Sequence, residues 1–513
     1  MNVVFRVDAS IEIGTGHVYR CLTLADALKK AGYLCHFICR EHHGHLGPLI
    51  RQKNFRLTLL PVNQDENIHR ESYQTWLGGD WVEDAKLTEK AIKDSNIKEV
   101  DLLIVDHYSL DNHWQKKIRK ICKNIIAIDD LANRKIDADI IIDQTYERQE
   151  GDYIPWMCNT ETSLLVGSRY ALLRPEFYLF RKKSLPKRKT ISAPPCILIS
   201  LGGSDQNNVS SQILESLSEL YTANELRVIL VIGANNPHAQ KLEKQCQLLP
   251  FQTELHIATD QICQLMIESD IAIGAAGTTS WERCALGLPT ITICMANNQK
   301  KVLQGLAKNN AILPFPLSEV SNTSELKKTI ENCLEKHAEI SESARNVTDG
   351  LGVKRVLMHL LNEHIRDGKT LKFHAGTMKE MGKLFHWQTA PETRRFSRNP
   401  KAPTWDEHQT WYLNKLNQPD CFLHFMIIEG KEVGMLRFDP VDGSDNYEIS
   451  ILVAPECYRL GIAEAGLKLM RKIYPEFNFI ATVLPGNLAS HSLFKRLGYK
   501  QISESEYQNL SKH

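Results

Sequence analysis

The run from Gly274 to Pro289 (Gly-Ala-Ala-Gly-Thr-Thr-Ser-Trp-Glu-Arg-Cys-Ala-Leu-Gly-Leu-Pro) sets three hydroxyl residues, Thr278, Thr279 and Ser280, directly behind four small ones. Small residues let an anion approach the backbone, and hydroxyls with free amides at a helix start can hold its oxygens. The apolar stretch ending at Ile273 reads as a strand, and Gly287 with Pro289 closes a short helix. Strand, glycine turn and helix in that order form a phosphate-binding unit, and Glu282, one turn into the helix, is placed to reach ribose hydroxyls. A second constellation is Gly14-Thr-Gly16-His17, between a strand at Val3–Val7 and a helix at Val18–Lys30. A helix N-terminus disfavours the imidazolium, so His17 there suits a general base.

Elements must bring these groups together. Strands are expected at Cys35–Cys39, Leu57–Pro61, Asp101–Asp106, Asn124–Asp129 and Asp139–Asp143, with helices near Val82–Lys93 and Asn112–Cys122. Such alternation makes a parallel sheet, whose ligands sit at the C-terminal strand edge. There Asp106-His107-Tyr108 and Asp129–Arg134 share a cleft with His17. Cys35 and Cys39 with His42, His43 and His45 have the residue types of a zinc site but lack its spacing. The basic stretch Arg181–Lys189 reads as a solvated linker. The alternation then restarts with a strand from Cys196 into Gly202-Gly203-Ser204-Asp205, followed by strands at Leu226–Gly233, Glu254–Ile257, Asp270–Ile273 and Thr290–Cys294. Helical patterns at Gln299–Lys308, Thr323–Lys336 and Val353–Arg366 finish it, and polar residues Asp367–Thr377 read as a second linker. The expected domains are thus 1–180, 190–366 and 378–513. Two Rossmann-like α/β lobes with glycine turns facing one cleft suit a nucleotide-sugar, its nucleotide on Gly202, Gly203, Gly277–Ser280 and Glu282.

Composition narrows the partners. The 513 residues carry a formal net charge of +1, so no global field draws the chain to nucleic acid or a membrane. No apolar run is long enough to span a bilayer, and Met1 leads straight into a strand without a basic leader, which reads as cytoplasmic. The 13 cysteines are scattered, several (Cys21, Cys263, Cys284, Cys294) within apolar patterns, and no disulfide is expected. Oligomeric state stays open.

The C-terminal third has a different, α+β grammar. Strands at Phe422–Glu429 and Glu432–Asp439 flank Gly430-Lys431 as a hairpin, a third spans Tyr447–Val453, and a turn at Pro455–Ala463 opens an amphipathic helix. A strand at Phe479–Leu484 and Asn487-Leu-Ala-Ser490 follow, then Phe494 and Gly498-Tyr499. This order resembles the GNAT acetyltransferases over Lys379–Glu504. The resemblance implies acetyl-CoA, its pyrophosphate on amides of Arg459, Leu460, Gly461, Ile462 and Ala463, with Val453, Asn487 and Ser490 along the CoA arm. Tyr458 stands where that family has Gln or Arg, and Phe494 where it often has an acidic tyrosine. Tyr499 is then the candidate acid, and Glu448, on the strand before the turn, the candidate base.

Residues 1–360 resemble the UDP-2,4-diacetamido-2,4,6-trideoxy-β-L-altropyranose hydrolases of pseudaminic acid biosynthesis, which are glycosyltransferase-B-like. The resemblance rests on Arg6-Val-Asp8-Ala-Ser with Gly14-x-Gly16-His17-x-x-Arg20-Cys21, Asp106-x-Tyr108, Asp129-Asp-Leu-Ala132, Tyr170–Phe177, Gly202-Gly203-x-Asp205, Gly274–Pro289 and Asn298-Gln299. It implies hydrolytic loss of UDP without a metal. His17 would activate water, Tyr108 and Asn298 would position the sugar, and Arg6, Asp8, Gly14, Gly16, Arg20 and Gln299 would complete the UDP-sugar site. It also implies that the fused domain acetylates the 4-amino group of the UDP-linked precursor. A glycosyltransferase using the same cleft, a hydrolase with an inactive GNAT domain, and a UDP-sugar sensor remain alternatives, and the sugar's stereochemistry is not legible.

Overall fold

Strands rich in Val, Ile and Leu, buried on both faces, build parallel sheets only when helices cover both sides. The computed structural model, which describes residues 1–62, 73–203, 205–234 and 236–511, contains two such sheets. The first comprises β1 (Asn2–Val7), β2 (Leu34–Arg40), β3 (Arg56–Leu60), β4 (Val100–Asp106), β5 (Cys122–Ile128), β6 (Ile140–Asp143) and β7 (Ser163–Val166), in the order β3-β2-β1-β4-β5-β6-β7. The second comprises β8 (Cys196–Ser200), β9 (Arg227–Ile232), β10 (Gln252–Ile257), β11 (Ile271–Ala275), β12 (Thr290–Ile293) and β13 (Leu313–Phe315), in the order β10-β9-β8-β11-β12-β13. Every pairing in both is parallel. In each, strand order reverses between the first and fourth strands, and the loops leaving those two strands diverge to opposite faces and open a crevice. Val7 of β1 pairs with Asp106 of β4, and Ser200 of β8 with Gly274 of β11. The glycine turns and the His17 loop therefore start at the two reversal points. β7 and β13 are the strands of these sheets not foreseen; both are short, at four and three residues, and each lies at the edge of its sheet.

Both sheets belong to one unit, Met1–Val353, and Lys354–His513 form a second. The basic stretch expected as a solvated linker is a docked helix, Arg181–Lys187. Ser184 is fully buried and donates to Leu286 O at 2.7 Å. Arg181 donates to Arg345 O at 2.6 Å and also to Ala285 O, while the buried Arg188 donates to Met266 O at 2.8 Å. These carbonyls lie at or near helix C-termini, where backbone acceptors lack partners, so the cations serve as caps.

The second unit holds β14 (Glu363–His364), β15 (Thr370–Ala375), β16 (Phe422–Ile428), β17 (Lys431–Pro440), β18 (Asn446–Val453), β19 (Asn478–Thr482), β20 (Lys500–Gln501) and β21 (Glu506–Asn509). The expected second linker thus contains β15, and the helix expected to reach Arg366 runs only from Gly352 to Leu360. All neighbours are antiparallel except β18 and β19, which pair in parallel only at Asn446–Glu448 with Asn478–Ile480. Beyond Glu448 the two strands part, leaving the rest of β18 without β19 as a neighbour. An aromatic core of Phe422, Phe438, Tyr447, Tyr474 and Phe477 holds the closed end of this wedge.

No helix among the described residues is long and apolar enough to cross a membrane, and all thirteen cysteines are free.

Candidate functional site

His17 occupies the first turn of the Gly16–Lys30 helix, directly after the β1 loop. Its Nδ1 lies 2.6 Å from Asp106 Oδ1, at the end of β4. Arg20, one turn along the same helix, grips both oxygens of Asp106 at 2.6 and 2.7 Å. That guanidinium holds the buried Asp106 carboxyl well below the usual carboxylate range, against the opposing effect of burial. An ionised Asp106 accepts only, so in the neutral imidazole the proton sits on Nδ1 and the lone pair on Nε2. Nε2 has no hydrogen-bond partner among the described residues. Arg20 Nη1 also reaches Asp130 Oδ2 at 2.6 Å, and Tyr108 OH donates to the same oxygen at 2.8 Å. The Tyr108 ring meets the His17 ring edge to face at 4.9 Å and stacks on Trp76, so the imidazole is fixed on two sides.

Arg6 and Asp8, assigned by resemblance to the ligand, lie beneath the cleft and are fully buried. Arg6 donates to Asp8 Oδ1 at 2.6 Å and to Asp84 Oδ2 at 2.7 Å, and Asp84 also accepts from Arg40 and Trp114. The polar residues of a central strand must be matched when both sheet faces are covered. These two form the support under the loop. Tyr108 differs from expectation in a similar way, since its hydroxyl is committed to Asp130.

In the second lobe the turn after β11 leads into the Thr279–Ala285 helix. Gly274, near the end of β11, leaves room for Arg283, since a Cβ there would sit 2.5 Å from Arg283 Nη1. Arg283 is buried and donates to Ala275 O at 2.7 Å and to Thr279 Oγ1 and Ser280 Oγ, each at 3.1 Å. Ser280 Oγ also reaches Ala275 O at 3.3 Å, so this hydroxyl, expected on the ligand, is spent inside the turn. Gly277, Thr278 and Thr279 remain to line the cleft. A Cβ on Gly16 would approach Thr278 Oγ1 to 3.3 Å, and one on Gly203 would approach Thr15 Oγ1 to 3.0 Å. The loop bearing Gly14, Gly16 and His17 thus faces Gly202-Gly203 and Thr278 directly. Gln299 Nε2 lies 3.8 Å from where a Gly277 Cβ would be, and Gln299 Oε1 accepts from Met295 N at 2.9 Å. Asn298 is exposed beside it. Burial raises the Glu282 carboxyl to about 7.

In the second unit, the turn before the Ile462–Ile473 helix bends through left-handed backbone at Arg459 (φ 65°) and Gly461 (φ 83°). Arg366 packs against it, with its amide on Leu460 O at 3.2 Å and its guanidinium on Arg459 O at 3.3 Å. Exposed amides and two arginines at a helix start suit a pyrophosphate. Val453 ends the free edge of β18. Asn487 Oδ1 accepts from Ser490 N at 3.1 Å, so this side chain caps the Leu488–Arg496 helix. Glu448, the last β18 residue paired to β19, accepts from Thr482 Oγ1 at 2.8 Å and is ion-paired to Arg398. Phe494 is buried edge-to-face on Tyr499. The Tyr499 hydroxyl is buried with no hydrogen-bond partner among the described residues, and burial raises its pKa, so it retains its proton.

Residues 197–356 match the Glycosyltransferase family 28 C-terminal domain, and residues 372–500 match the Acetyltransferase (GNAT) domain. The chain is similar over its whole length to an uncharacterized protein of Methanocaldococcus jannaschii, 24% identical over 98% of each chain. It is 22% identical to the spore coat polysaccharide biosynthesis protein SpsG of Bacillus subtilis, over 69% of this chain and 96% of SpsG. The UDP-2,4-diacetamido-2,4,6-trideoxy-beta-L-altropyranose hydrolase of Campylobacter jejuni is 26% identical over 60% of this chain and 97% of its own.

Several residues of these sites were not among the expected ones. Asp106, bonded to His17, and Asp130, which accepts from Tyr108, are bridged by Arg20 and were expected only to face the cleft. Arg283 was seen only as part of a motif. Arg366, on the GNAT turn, lies in a stretch whose composition reads as the end of a helix. His491, bonded to Tyr507 OH at 2.8 Å beside Phe494, carried no sequence signal beyond its place on the helix.

Proposed function

We propose that the first unit hydrolyses UDP-2,4-diacetamido-2,4,6-trideoxy-β-L-altrose to UDP and the free sugar, and that the GNAT unit uses acetyl-CoA to acetylate the 4-amino group of the UDP-linked precursor. The observation that carries the first half is the Asp106–His17 pair, with Nε2 free, opposite the glycine turns of the second lobe. His17 takes a proton from water, whose oxygen bonds to the anomeric carbon as the bond to the diphosphate oxygen breaks. The electron pair leaves on the diphosphate, where amides at Gly277–Thr279 meet the developing charge. Glu282 holds the ribose, and Asn298 with Gln299 lies over the sugar. The hydrolase from Campylobacter jejuni, aligned over nearly its whole length, supports this substrate. The GNAT unit supplies the amide, with Glu448 as base, Tyr499 as acid, and the turn from Arg459 to Ala463 under the CoA pyrophosphate.

The test supplies the purified chain with the UDP-linked 2-acetamido-4-amino-2,4,6-trideoxy altrose, with and without acetyl-CoA, and follows free sugar, UDP and CoA by mass spectrometry. Free diacetamido sugar appearing only with acetyl-CoA, and lost in His17→Ala while CoA release persists, is the expected result. Sugar transferred to an added acceptor with none released by water overturns the hydrolase reading in favour of a glycosyltransferase.

A further inference from the structure

Residues 394–401, Arg-Arg-Phe-Ser-Arg-Asn-Pro-Lys, hold four cations and no acid. Arg394 spends its guanidinium closing the loop, donating to Asn399 O at 3.1 Å and Lys401 O at 3.2 Å. Arg395 and Lys401 are exposed, and neither has a carboxylate partner among the described residues. Arg398 alone reaches an acid, and that acid is Glu448, at the point where β18 and β19 part. Asp439, directly opposite Glu448 on β17, is already matched by Lys415 at 2.9 Å and Arg437 at 2.7 Å. The loop therefore brings surplus positive charge, and the exposed ring of Phe396, to the candidate base.

As it stands, the base is masked. Glu448 is paired to the Arg398 guanidinium and accepts from Thr482 Oγ1, so an ammonium must compete with Arg398 for it. An exposed ion pair is weak, whereas arginine binds phosphate oxygens through paired, charge-assisted hydrogen bonds. A diphosphate on the same molecule as the amine would draw Arg398 away.

We propose that the 394–401 loop receives the diphosphate of a nucleotide-linked amine through Arg395, Arg398 and Lys401, and that moving Arg398 onto the diphosphate unmasks Glu448. This rests on the reading of the second unit as an acetyltransferase for a nucleotide-linked amino sugar. The ammonium then gives one proton to Glu448, and the amine lone pair forms the new C–N bond. The C–S bond of the thioester breaks, its electron pair stays on sulfur, and a second proton from the nitrogen ends on that sulfur. The loop thus couples recognition of the nucleotide to exposure of the base, and selects against amines that lack one.

The test measures CoA release by the full chain with two acceptors, the UDP-linked 4-amino sugar and the same amino sugar as its methyl glycoside. The wild type is expected to favour the UDP-linked amine strongly. Arg395→Gln with Lys401→Gln should raise KM for that acceptor about ten- to hundredfold while leaving the glycoside and the KM for acetyl-CoA unchanged. Arg398→Gln should increase turnover of the glycoside, since the base is no longer masked. These side chains are exposed, and an unchanged KM for acetyl-CoA reports intact folding. Equal kcat/KM for the two acceptors in the wild type, or an Arg398→Gln variant slower on both, overturns the proposal while leaving the acetyltransferase reading standing. CoA release with neither acceptor overturns both.

Discussion

Asp106→Asn keeps the shape of a side chain on which two others depend and removes its charge. The carboxylate accepts from Arg20 through both oxygens, at 2.6 and 2.7 Å, and from His17 Nδ1 at 2.6 Å. An asparagine offers one oxygen and one NH2, so one of those donors must face another donor. If the NH2 turns to His17, Nδ1 becomes the acceptor, the proton moves to Nε2, and the lone pair needed for water is lost. If it turns to Arg20, the guanidinium loses one of its two bonds to the buried acid. A positioned general base contributes about 10²- to 10⁴-fold, and a loss of that size in kcat for UDP release is expected. Breaking a buried ion pair costs about 3–5 kcal/mol, but Arg20 keeps Asp130 at 2.6 Å, so the destabilisation should fall at or below the lower end.

The assay is UDP release under saturating substrate, read beside a urea unfolding curve, for Asp106→Asn, His17→Gln and the double variant. Because Asp106 acts through His17, the double variant should lose no more than His17→Gln alone. A folded Asp106→Asn protein with kcat within about threefold of wild type would refute the reasoning, given the size expected of a general base. So would a double variant whose losses multiply.

Two further outcomes follow from buried charges. Burial raises Glu282 to about 7, and an ionised carboxylate accepts from both ribose hydroxyls better than its acid form; UDP affinity should therefore fall by up to about tenfold per pH unit below 7, and Glu282→Gln should flatten that profile in calorimetric titration. The sign for the free protein is opposite: a carboxyl raised on folding favours the fold fully below its unfolded value of 4.5, and that contribution is lost as pH rises through 7. Arg188→Met should destabilise the first unit by about 2–4 kcal/mol in urea, since it strips the donor from the carbonyls of Met266 and Ser269; a change below about 0.5 kcal/mol would restore the solvated-linker reading.

The legible parts of this chain were local. His17 after Gly16, and Thr278 after Gly277, could be placed because a turn and a helix start fix neighbours within a few residues. Pairing across the sheet was not local. Asp106 reaches His17 because β4 lies beside β1, an adjacency that the chain order does not state, and Arg6 finds Asp84 from 78 residues away. A polar residue at a strand end looks the same whether it faces a ligand or a buried partner, which is why Arg6 and Asp8 were misplaced. The Arg181–Lys187 helix failed for another reason: its acceptors are backbone carbonyls, which have no sequence signature, so its charges read as solvated. In β15 the alternation of Leu371, Lys372 and Phe373 carries a strand signal, but the polar residues before it hid so short an element.

On the proposed function, the two units use one local device, a strand feeding a turn and a helix, with different supplies of positive charge. In the first, Arg283 is buried, hydrogen-bonded only to neutral oxygens and pulled down to about 10 by burial, which still leaves it charged at neutral pH. In the second, Arg366 and Arg459 stand at the turn in contact with solvent. The difference matches where charge changes during each reaction. Loss of UDP develops charge on the diphosphate itself, and a fixed cation under the turn needs no reorganisation as that charge grows. Acetyl transfer develops its charge at the thioester carbon and sulfur, away from the CoA pyrophosphate, which needs only to be held. Salt screens exposed cations far more than buried ones. The site where charge develops therefore has the unscreened cation, and the site that only grips has solvent-exposed ones.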